Sequence, residues 1–198
     1  MATRERPTGS FRPVAAVRDA VVDSAVEVMG RRGVYQARLE DVAQAAGAGL
    51  EGVRAHFKDK DDLLATVVDE LVGRLAELTP ERELAGLELA LRVRRVVQEH
   101  LAHFQQHPGQ LLVLHQARGI TLQEPERFPA VGVALQLYPV LLGRLLRQPG
   151  QPESPAQRRA AVVLASIILG AAVGRVDRRD DTLIAAAARA YSAILQEP

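Results

Sequence analysis

Three histidines, His100, His103 and His107, recur at a spacing that places their imidazoles within about 60° of arc on one helix face. Imidazoles in this arrangement could bind a metal ion, but no carboxylate follows at a suitable i, i+4 position on that face. The sequence contains no cysteine, which excludes a disulfide scaffold, thiol catalysis and a cysteine-ligated metal centre. We therefore predict no metal site and no cofactor. Single histidines are expected either as polar groups in an apolar cavity or as structural residues.

Polar and aromatic side chains in the middle of the chain are candidates for a ligand pocket. Because aromatic residues make up only 4% of the sequence, an aliphatic cavity for a lipophilic effector is favoured over an aromatic stacking site. The sequence has no nucleophile–base pair, HExxH metal motif or glycine-rich phosphate loop, so we do not expect an enzyme. The predicted pocket residues are His100, His103, Phe104, His115, Arg118, Leu135 and Tyr138, with Gln116 and Gln136 as further candidates.

Basic side chains near the N-terminus are candidates for contacts with nucleic acid. The net charge of +1 argues against a protein that coats nucleic acid without regard to sequence. Residues 1–60 nevertheless hold ten basic against eight acidic residues, and both lysines of the chain, Lys58 and Lys60, stand at the end of this segment. Three further arginines precede the first helix: Arg4, Arg6 and Arg12. They are predicted either to form an arm that reaches along the DNA or to lie in a disordered tail.

Nearly every segment of the chain has the pattern of a helix. Apolar residues recur at i, i+3, i+4 and i+7 from Val22 to Met29, and alternating strand patterns are missing. We expect a short helix at Gln110–Arg118 to end at Gly119. Because Pro139 removes a backbone donor, we also expect a kink near Leu135–Tyr138. The predicted fold is all-α with about nine helices. Its parts are a flexible arm (1–13), a three-helix helix–turn–helix head (14–60) and a six-helix ligand-binding and dimerisation body (61–198).

No apolar run reaches the ~18 residues of a membrane span, and the first residues do not form a secretory signal. We therefore expect a cytoplasmic protein without a membrane partner.

The segments Leu39–Ala46 and Leu50–Phe57, joined by Gly47-Ala48-Gly49, are predicted to form the helix–turn–helix. Gly47 suits the left-handed position that ends the first of these helices. Val42, Val53 and Phe57 are expected to fill the space between them and the preceding helix. In such a unit the second helix can lie in the DNA major groove.

The sequence EDVAQAAGAGLEGVRAHFKDKDDLL resembles the DNA-binding domain of the tetracycline-repressor (TetR) family of bacterial transcription regulators. The matching positions are Asp41, Val42, Ala43, Ala46, Gly47, Val53, His56, Phe57, Lys60 and Leu63. The resemblance implies a homodimer that acts as a repressor on a near-palindromic operator in double-stranded DNA. It also implies that the dimer releases the operator when a small molecule occupies the larger domain.

Some residues depart from the family pattern. Arg38 and Gly49 stand where the family has a helix-capping hydroxyl, and Arg54 replaces a tyrosine that contacts phosphate. Glu51 is unfavourable beside phosphates, although it can accept from a cytosine amine. The predicted DNA-binding residues are Arg38, Gly49, Leu50, Glu51, Gly52, Arg54, His56, Lys58 and Lys60. The alternative is a TetR-like fold that has lost sequence-specific DNA binding and acts as a ligand- or protein-binding module.

The last two predicted helices, about 155–176 and 179–196, are expected to form the dimer interface. Ser166, Gly170 and Gly174 recur every four residues, which allows close approach of two backbones. The predicted interface residues are Ala161, Ala165, Ser166, Ile168, Gly170, Gly174, Ile184, Ala187 and Tyr191. Burial of these helices within a single chain is the alternative. The helix at about Asp59–Leu78, which joins head to body, is expected to transmit the ligand signal.

Overall fold

Helices account for all the regular secondary structure in the part of the chain that the computed structural model describes, namely residues 14–148, 150–175, 177 and 179–196. The predicted all-α class is confirmed, with eleven helical segments in these residues. They are α1 (Val14–Arg32), α2 (Leu39–Ala46), α3 (Gly49–Arg54), α4 (Lys60–Glu77), α5 (Glu81–Leu84), α6 (Leu89–Gln106), α7 (Pro108–Gln123), α8 (Pro129–Leu135), α9 (Leu137–Leu146), α10 (Pro155–Val173) and α11 (Asp181–Leu195). The proposed arm, with Arg4, Arg6 and Arg12, lies outside the described residues.

The head consists of α1, α2 and α3, and its core contains the apolar residues that the sequence pattern selects. Val22 and Met29 of α1 are buried, and Val42, Val53 and Phe57 fill the space between α1 and the two short helices, as predicted. Asp41 joins two of the helices, because its carboxylate accepts from the Arg38 backbone N–H at 3.1 Å and pairs with Arg32 at 2.7 Å.

The body is built around α4, which leaves the head and is buried for most of its length among α7, α8 and α9. Large buried side chains on several other helices close the core: Leu101 on α6, Ile120 on α7, Leu142 on α9 and Leu164 on α10. Tyr191 anchors α11 in the same core. The burial of apolar surface along α4 therefore contributes to the connection between the head and the body.

Three elements differ in detail from the sequence expectation. The single turn α5 was not expected, and α7 continues through Gly119 instead of ending there, because packing of Ala117 and Ile120 outweighs the roughly 1 kcal/mol that a helical glycine costs. The helix expected at about 126–147 is divided into α8 and α9 at Gln136. That division confirms the break expected from Pro139, and with α5 it accounts for the larger number of segments.

The head also contacts the body through α7. Gly30 of α1 and Gly109 of α7 pack backbone to backbone, and a Cβ atom added at Gly30 lies 3.0 Å from Gly109 Cα. The Val34 backbone N–H, just beyond the end of α1, donates to Oε1 of Gln116 at 2.6 Å. These contacts hold the head against α7 independently of its covalent connection to α4.

Two helical stretches, Pro129–Leu146 and Pro155–Val173, are long and apolar enough to cross a membrane, judged by length and composition alone. No such stretch was predicted from the sequence. Part of each, 39%, is buried inside the protein, and core helices of soluble proteins meet the same criterion. Because both stretches pack against the body core, their apolar character is explained by that packing and by the exposed face described below.

Candidate DNA-reading face and ligand cavity

The turn between α2 and α3 sets the orientation of the candidate reading helix. Gly47 adopts the left-handed conformation (φ 62°) that was predicted for it, and its N–H donates to a carbonyl of the last turn of α2. Gly49, the first residue of α3, is also left-handed (φ 66°). A serine or threonine at position 49 would be strained, so the glycine there suits this chain's own turn geometry.

The reading helix is held from its inner side and presents its outer side to solvent. Val53 in α3 and Phe57, three residues beyond its end, are buried. Glu51 and Arg54 are exposed, and Leu50 is half-buried. The Arg54 guanidinium lies 3.5 Å from the Glu51 carboxylate, a weak surface ion pair that DNA phosphates could displace. The helix is therefore placed for DNA contact, with its one cation partly neutralised by Glu51.

Three other predicted contacts lie in or near this helix. The His56 ring is half-buried, with its centroid 6.3 Å from that of Phe57, so at least one face is engaged in packing. Gly52 is half-buried against the Ala48 methyl group. Arg38 is exposed at the start of α2. Contacts of these three residues with DNA remain predictions.

The two lysines have different environments at the start of α4. Lys58 is exposed, whereas the Lys60 ammonium donates to the Tyr35 carbonyl oxygen at 2.9 Å. Burial, and then the nearby Arg127, lowers the pKa of Lys60. An ammonium has three donors, so this bond orients Lys60 and leaves two N–H groups for a phosphate.

One basic residue of this face was missed by the sequence analysis. Arg18 of α1 is exposed, and its guanidinium carbon lies 5.8 Å from the centroid of the Phe57 ring, at the end of the helix–turn–helix. No local motif marks Arg18, because its proximity to Phe57 arises only when α1 packs across α3. It adds a cation to the candidate DNA-reading face.

The candidate ligand cavity lies in the body and has a volume of about 350 Å³. Arg118, Leu135 and Tyr138 line it, as does Gln136, so these four predicted residues are brought together. The rest of the lining is almost entirely apolar and comes from α4, α7, α8, α9 and α10: Val72, Leu114, Thr121, Leu122, Gly132, Pro139, Ala165 and Leu169. Its size is at the lower end of the range of small-molecule sites.

Two unpartnered polar atoms belong to Tyr138, which lines this cavity, and to His100, which was predicted to line it but does not. The Tyr138 hydroxyl and Nε2 of His100 are both buried without a hydrogen-bond partner among the described residues, and their rings are 5.8 Å apart. The His100 ring is bound through Nδ1, which donates to the Val96 carbonyl at 2.7 Å, so Nε2 is left as an acceptor. Burial lowers the pKa of His100 to about 4 and raises the pKa of Tyr138. The pair therefore stays neutral and offers a donor and an acceptor.

Because its hydroxyl has no partner, Tyr138→Phe is expected to leave the free energy of unfolding unchanged or to raise it by up to about 1 kcal/mol. Urea unfolding followed by circular dichroism measures this difference. A loss of more than about 1 kcal/mol contradicts the expectation, since it requires that the hydroxyl is well bonded in the native protein.

The other predicted pocket residues do not join this cavity. His103 is bonded to Gln110 at 2.8 Å, and burial lowers its pKa. Phe104 and His115 line a separate surface cavity of about 570 Å³ between α6, α7 and α10. Across the described residues, no group of three histidine, cysteine or acidic side chains is arranged to hold a metal ion.

The predicted dimer residues fall on two different sides of α10 and α11. Ala161, Ala165, Ile168, Ile184, Ala187 and Tyr191 are buried within this chain. Their assignment to a dimer interface is therefore corrected: α10 and α11 direct these side chains into the body core, against each other and against α6 and α9. Ser166 is half-buried, and Gly170 and Gly174 are exposed.

A different set of apolar side chains remains exposed on the body. Leu122, on α7, is 77% exposed, and Val133, at the end of α8, is 71% exposed. Further members lie on α9 and α10: Leu137, Val140, Val162, Val163 and Val173. We call these seven residues the exposed apolar face. Sequence periodicity could not separate them from core positions, because helices with apolar residues on two sides have no single stripe.

The comparisons with known proteins agree with this architecture. Residues 21–67 match the model of the family described as bacterial regulatory proteins, tetR family. The chain is 26% identical over 198 residues to the HTH-type transcriptional regulator AcrR of Shigella flexneri. The alignment covers 91% of this chain and 87% of AcrR. It is 30% identical over 79 residues to the fatty acid metabolism regulator protein of Bacillus subtilis. That alignment covers 38% of this chain and only 41% of the relative.

Solved structures share the fold over nearly the whole chain. A TetR transcriptional regulator from Rhodococcus sp. RHA1 superposes with a TM-score of 0.67 at 15% identity, covering 92% of this chain and 97% of that one. FadR from Bacillus subtilis, in complex with stearoyl-CoA, gives a TM-score of 0.62 at 18% identity, covering 90% and 97%. The helix–turn–helix head therefore matches the TetR family of transcriptional regulators, and the whole chain shares the fold of solved TetR-family structures and is similar in sequence to AcrR along most of its length.

Proposed function

We propose that this regulator is a repressor that binds a near-palindromic operator as a homodimer and releases it when a small aliphatic effector occupies the cavity lined by Tyr138. The proposed setting is the cytoplasm, where a bacterial operator is found. The observation that carries the proposal is that the helices lining this cavity are the same helices that hold the head.

Helix α7 is the first of these connections. Its middle and last turns line the cavity through Leu114, Arg118 and Leu122. The same helix holds the head through Gly109 in its first turn and through Gln116 in its middle, which accepts from the Val34 N–H. Movement of α7 on ligand binding therefore acts directly on the end of α1.

Helix α8 is the second connection. Gly132 and Leu135 line the cavity, and the first turn of α8 donates backbone N–H groups of Ala130 and Val131 to the Asp61 carboxylate. Asp61 belongs to the first turn of α4, four residues after Phe57. The carboxylate acts as a cap supplied by another helix, since no side chain near Phe128 caps α8 locally.

These connections give the ligand a physical route to the DNA-reading face. A ligand shifts the equilibrium between two head positions by no more than the difference in its affinity for them, typically 1–3 kcal/mol. Helix α4, which was expected to transmit the signal, contributes Val72 to the cavity. We propose that α7 and α8 act with it.

The exposed apolar face supports dimerisation. Seven large apolar side chains are exposed on α7, α8, α9 and α10, and a two-fold symmetric partner would cover them with the same residues. A dimer also gives the two reading helices the fixed separation that a near-palindromic operator requires. We propose that the interface uses this face together with Ser166 and Gly170, in place of the buried residues first expected.

The effector class follows from the cavity lining and from the relatives. Aliphatic side chains dominate the lining, and the structurally similar FadR binds stearoyl-CoA. We propose an aliphatic effector whose polar group meets Tyr138. Tyr138→Phe is then expected to weaken effector binding without lowering stability.

Operator binding is tested by selection from random double-stranded DNA at low salt with the full-length protein. The expected result is enrichment of near-palindromic sites whose half-sites lie about one helical turn apart. Failure to enrich any sequence overturns the operator proposal.

Lys58→Ala is expected to weaken binding to all DNA sequences alike and to flatten the dependence of log K on log salt by about one unit, because one phosphate contact is lost. Fluorescence anisotropy across a salt series measures both quantities. Arg189→Ala, an exposed arginine on α11, is the matched control and should change neither. A slope that is the same in wild type and Lys58→Ala contradicts the contact.

A second candidate function is a TetR-like ligand- or protein-binding module without sequence-specific DNA binding. The observation that favours it is the acidic character of the reading face. Glu51 pairs with Arg54, and Asp59 and Asp62 adjoin the two lysines in the sequence at the start of α4. The DNA selection separates the two functions, because the module predicts no sequence-selective complex.

A further inference from the structure

A second pocket, of about 480 Å³, lies on the body between α5, the first turns of α6 and the end of α9. It shares no lining residue with the cavity at Tyr138. Three arginines line it: Arg92, Arg144 and Arg147. Glu81 is the only acidic residue among the described lining residues, so the lining carries a net charge of +2. Such a concentration of guanidinium groups in one concave site favours an anionic ligand.

Arg92 is the unusual member of this group, because its side chain is only 6% exposed. Its Nη1 donates to the Arg147 carbonyl at 3.2 Å, and its Nε has no hydrogen-bond partner among the described residues. No ion pair joins Arg92 to a carboxylate in the described part of the chain. A buried guanidinium without a counter-charge is costly, so it calls for a partner.

A purely structural role explains only part of this arrangement. The Arg147 carbonyl belongs to the C-terminal end of α9, where the helix dipole favours a cation. That contact, however, uses one of the five N–H groups of Arg92. The remaining donors include the buried Nε, which faces no acceptor.

The other two arginines of the pocket are more accessible to an incoming anion than Arg92 is. Arg144 pairs with Glu81 at 2.7 Å, and both side chains are largely exposed. Because this ion pair is at the surface, its net energy is small and an incoming anion can compete for Arg144. Arg147, at the end of α9, is half-buried. Arg92 therefore supplies the fixed donor, and Arg144 and Arg147 supply adjustable ones.

We propose that this pocket binds a small anion that carries a phosphate or carboxylate group, with Arg92 as the central donor. The planar guanidinium fork matches either oxyanion in a two-bond arrangement, which a lysine could not provide. The site lies apart from the effector cavity and from the DNA-reading face. The proposal is therefore independent of the repressor function.

Isothermal titration of the full-length protein with inorganic phosphate and, separately, with citrate tests the site at constant ionic strength set with chloride. The expected result is saturable binding of at least one anion with a dissociation constant of about 1 mM or below. Phosphate and citrate distinguish the two oxyanion classes. Arg92→Leu is expected to weaken binding by about tenfold or more, as expected for loss of a charged hydrogen bond.

Glu81→Gln provides a test in the opposite direction. It removes the one acidic side chain of the lining and frees Arg144, so binding is expected to tighten severalfold. Arg118→Gln, in the other cavity, is the control and should leave anion binding unchanged. A purely structural Arg92 predicts no effect of Glu81→Gln on anion affinity.

Absence of saturable binding to both anions overturns the proposal, and so does binding that Arg92→Leu and Glu81→Gln leave unaltered. If Arg92→Leu does not fold, as judged by circular dichroism, Glu81→Gln and Arg144→Gln decide. The proposal requires that Glu81→Gln binds the anion more tightly than the wild type and that Arg144→Gln binds it more weakly.

Discussion

Between about pH 6.5 and pH 4, the free energy of unfolding of this protein is expected to fall by about 3 kcal/mol more than that of its His100→Leu variant. His100 is fully buried, and burial lowers its pKa from 6.5 to about 4. In the unfolded chain the same imidazole binds a proton near pH 6.5. Within this window the unfolded state therefore binds more protons than the folded state.

The sign of the effect follows from this difference in bound protons. The stabilisation is complete above pH 6.5, decreases by about 1.4 kcal/mol per unit as the pH falls, and is lost near pH 4. Leucine cannot titrate, so His100→Leu removes this contribution to the slope. Part of the acid sensitivity remains in the variant, because burial also lowers the pKa of His103.

Urea unfolding of both proteins at a series of pH values measures the difference. His115→Leu, which removes a histidine from an exposed position, is the matched control for the loss of an imidazole. Parallel profiles for wild type and His100→Leu would show that His100 is protonated or solvated in the native protein. The burial of its ring beside Tyr138 would then be incorrect.

Gly30→Leu is expected to lower the free energy of unfolding by about 2–4 kcal/mol. A Cβ at position 30 lies 3.0 Å from the Gly109 Cα atom and 3.2 Å from its carbonyl oxygen, so the added side chain meets backbone that cannot rotate away. The two helices must separate. Separation also lengthens the 2.6 Å hydrogen bond between the Val34 N–H and Gln116.

Gly119→Ala is the matched control for this effect. Gly119 lies inside α7, the helix that contains Gly109, and a Cβ atom there has no neighbour within 4 Å. Alanine in a helix interior is favoured over glycine, so this variant is expected to gain up to about 1 kcal/mol. Thermal and urea unfolding of both variants measure the contrast. Equal stabilities in Gly30→Leu and wild type would contradict the close backbone contact between α1 and α7.

The sequence by itself determined the helix–turn–helix and its interior. The left-handed Gly47, the buried Val42, Val53 and Phe57, and the exposed Arg54 could all be predicted, because turn chemistry and amphipathic spacing act over a few neighbouring residues. The break near Pro139 could be predicted for the same reason, since a proline removes its own backbone donor.

Where a helix is apolar on more than one side, the local sequence pattern could not predict which side faces the core. Periodicity placed Ala165 and Tyr191 at a dimer interface, yet both are buried in the chain's own core, while Val162 and Val163 face outward. Likewise, the three histidines at helical spacing have separate environments: His100 is buried beside Tyr138, and His103 is bonded to Gln110.

Only the tertiary structure decided which distant residues meet. It placed Arg18 beside Phe57, joined Asp61 to the first turn of α8, and enclosed Arg92 in a cationic pocket. The physical reason is that side-chain contacts between helices depend on their crossing angles and depth of packing, which result from burial of the whole core. Helix formation is encoded within one or two turns of sequence, whereas these pairings exist only after all the helices have packed.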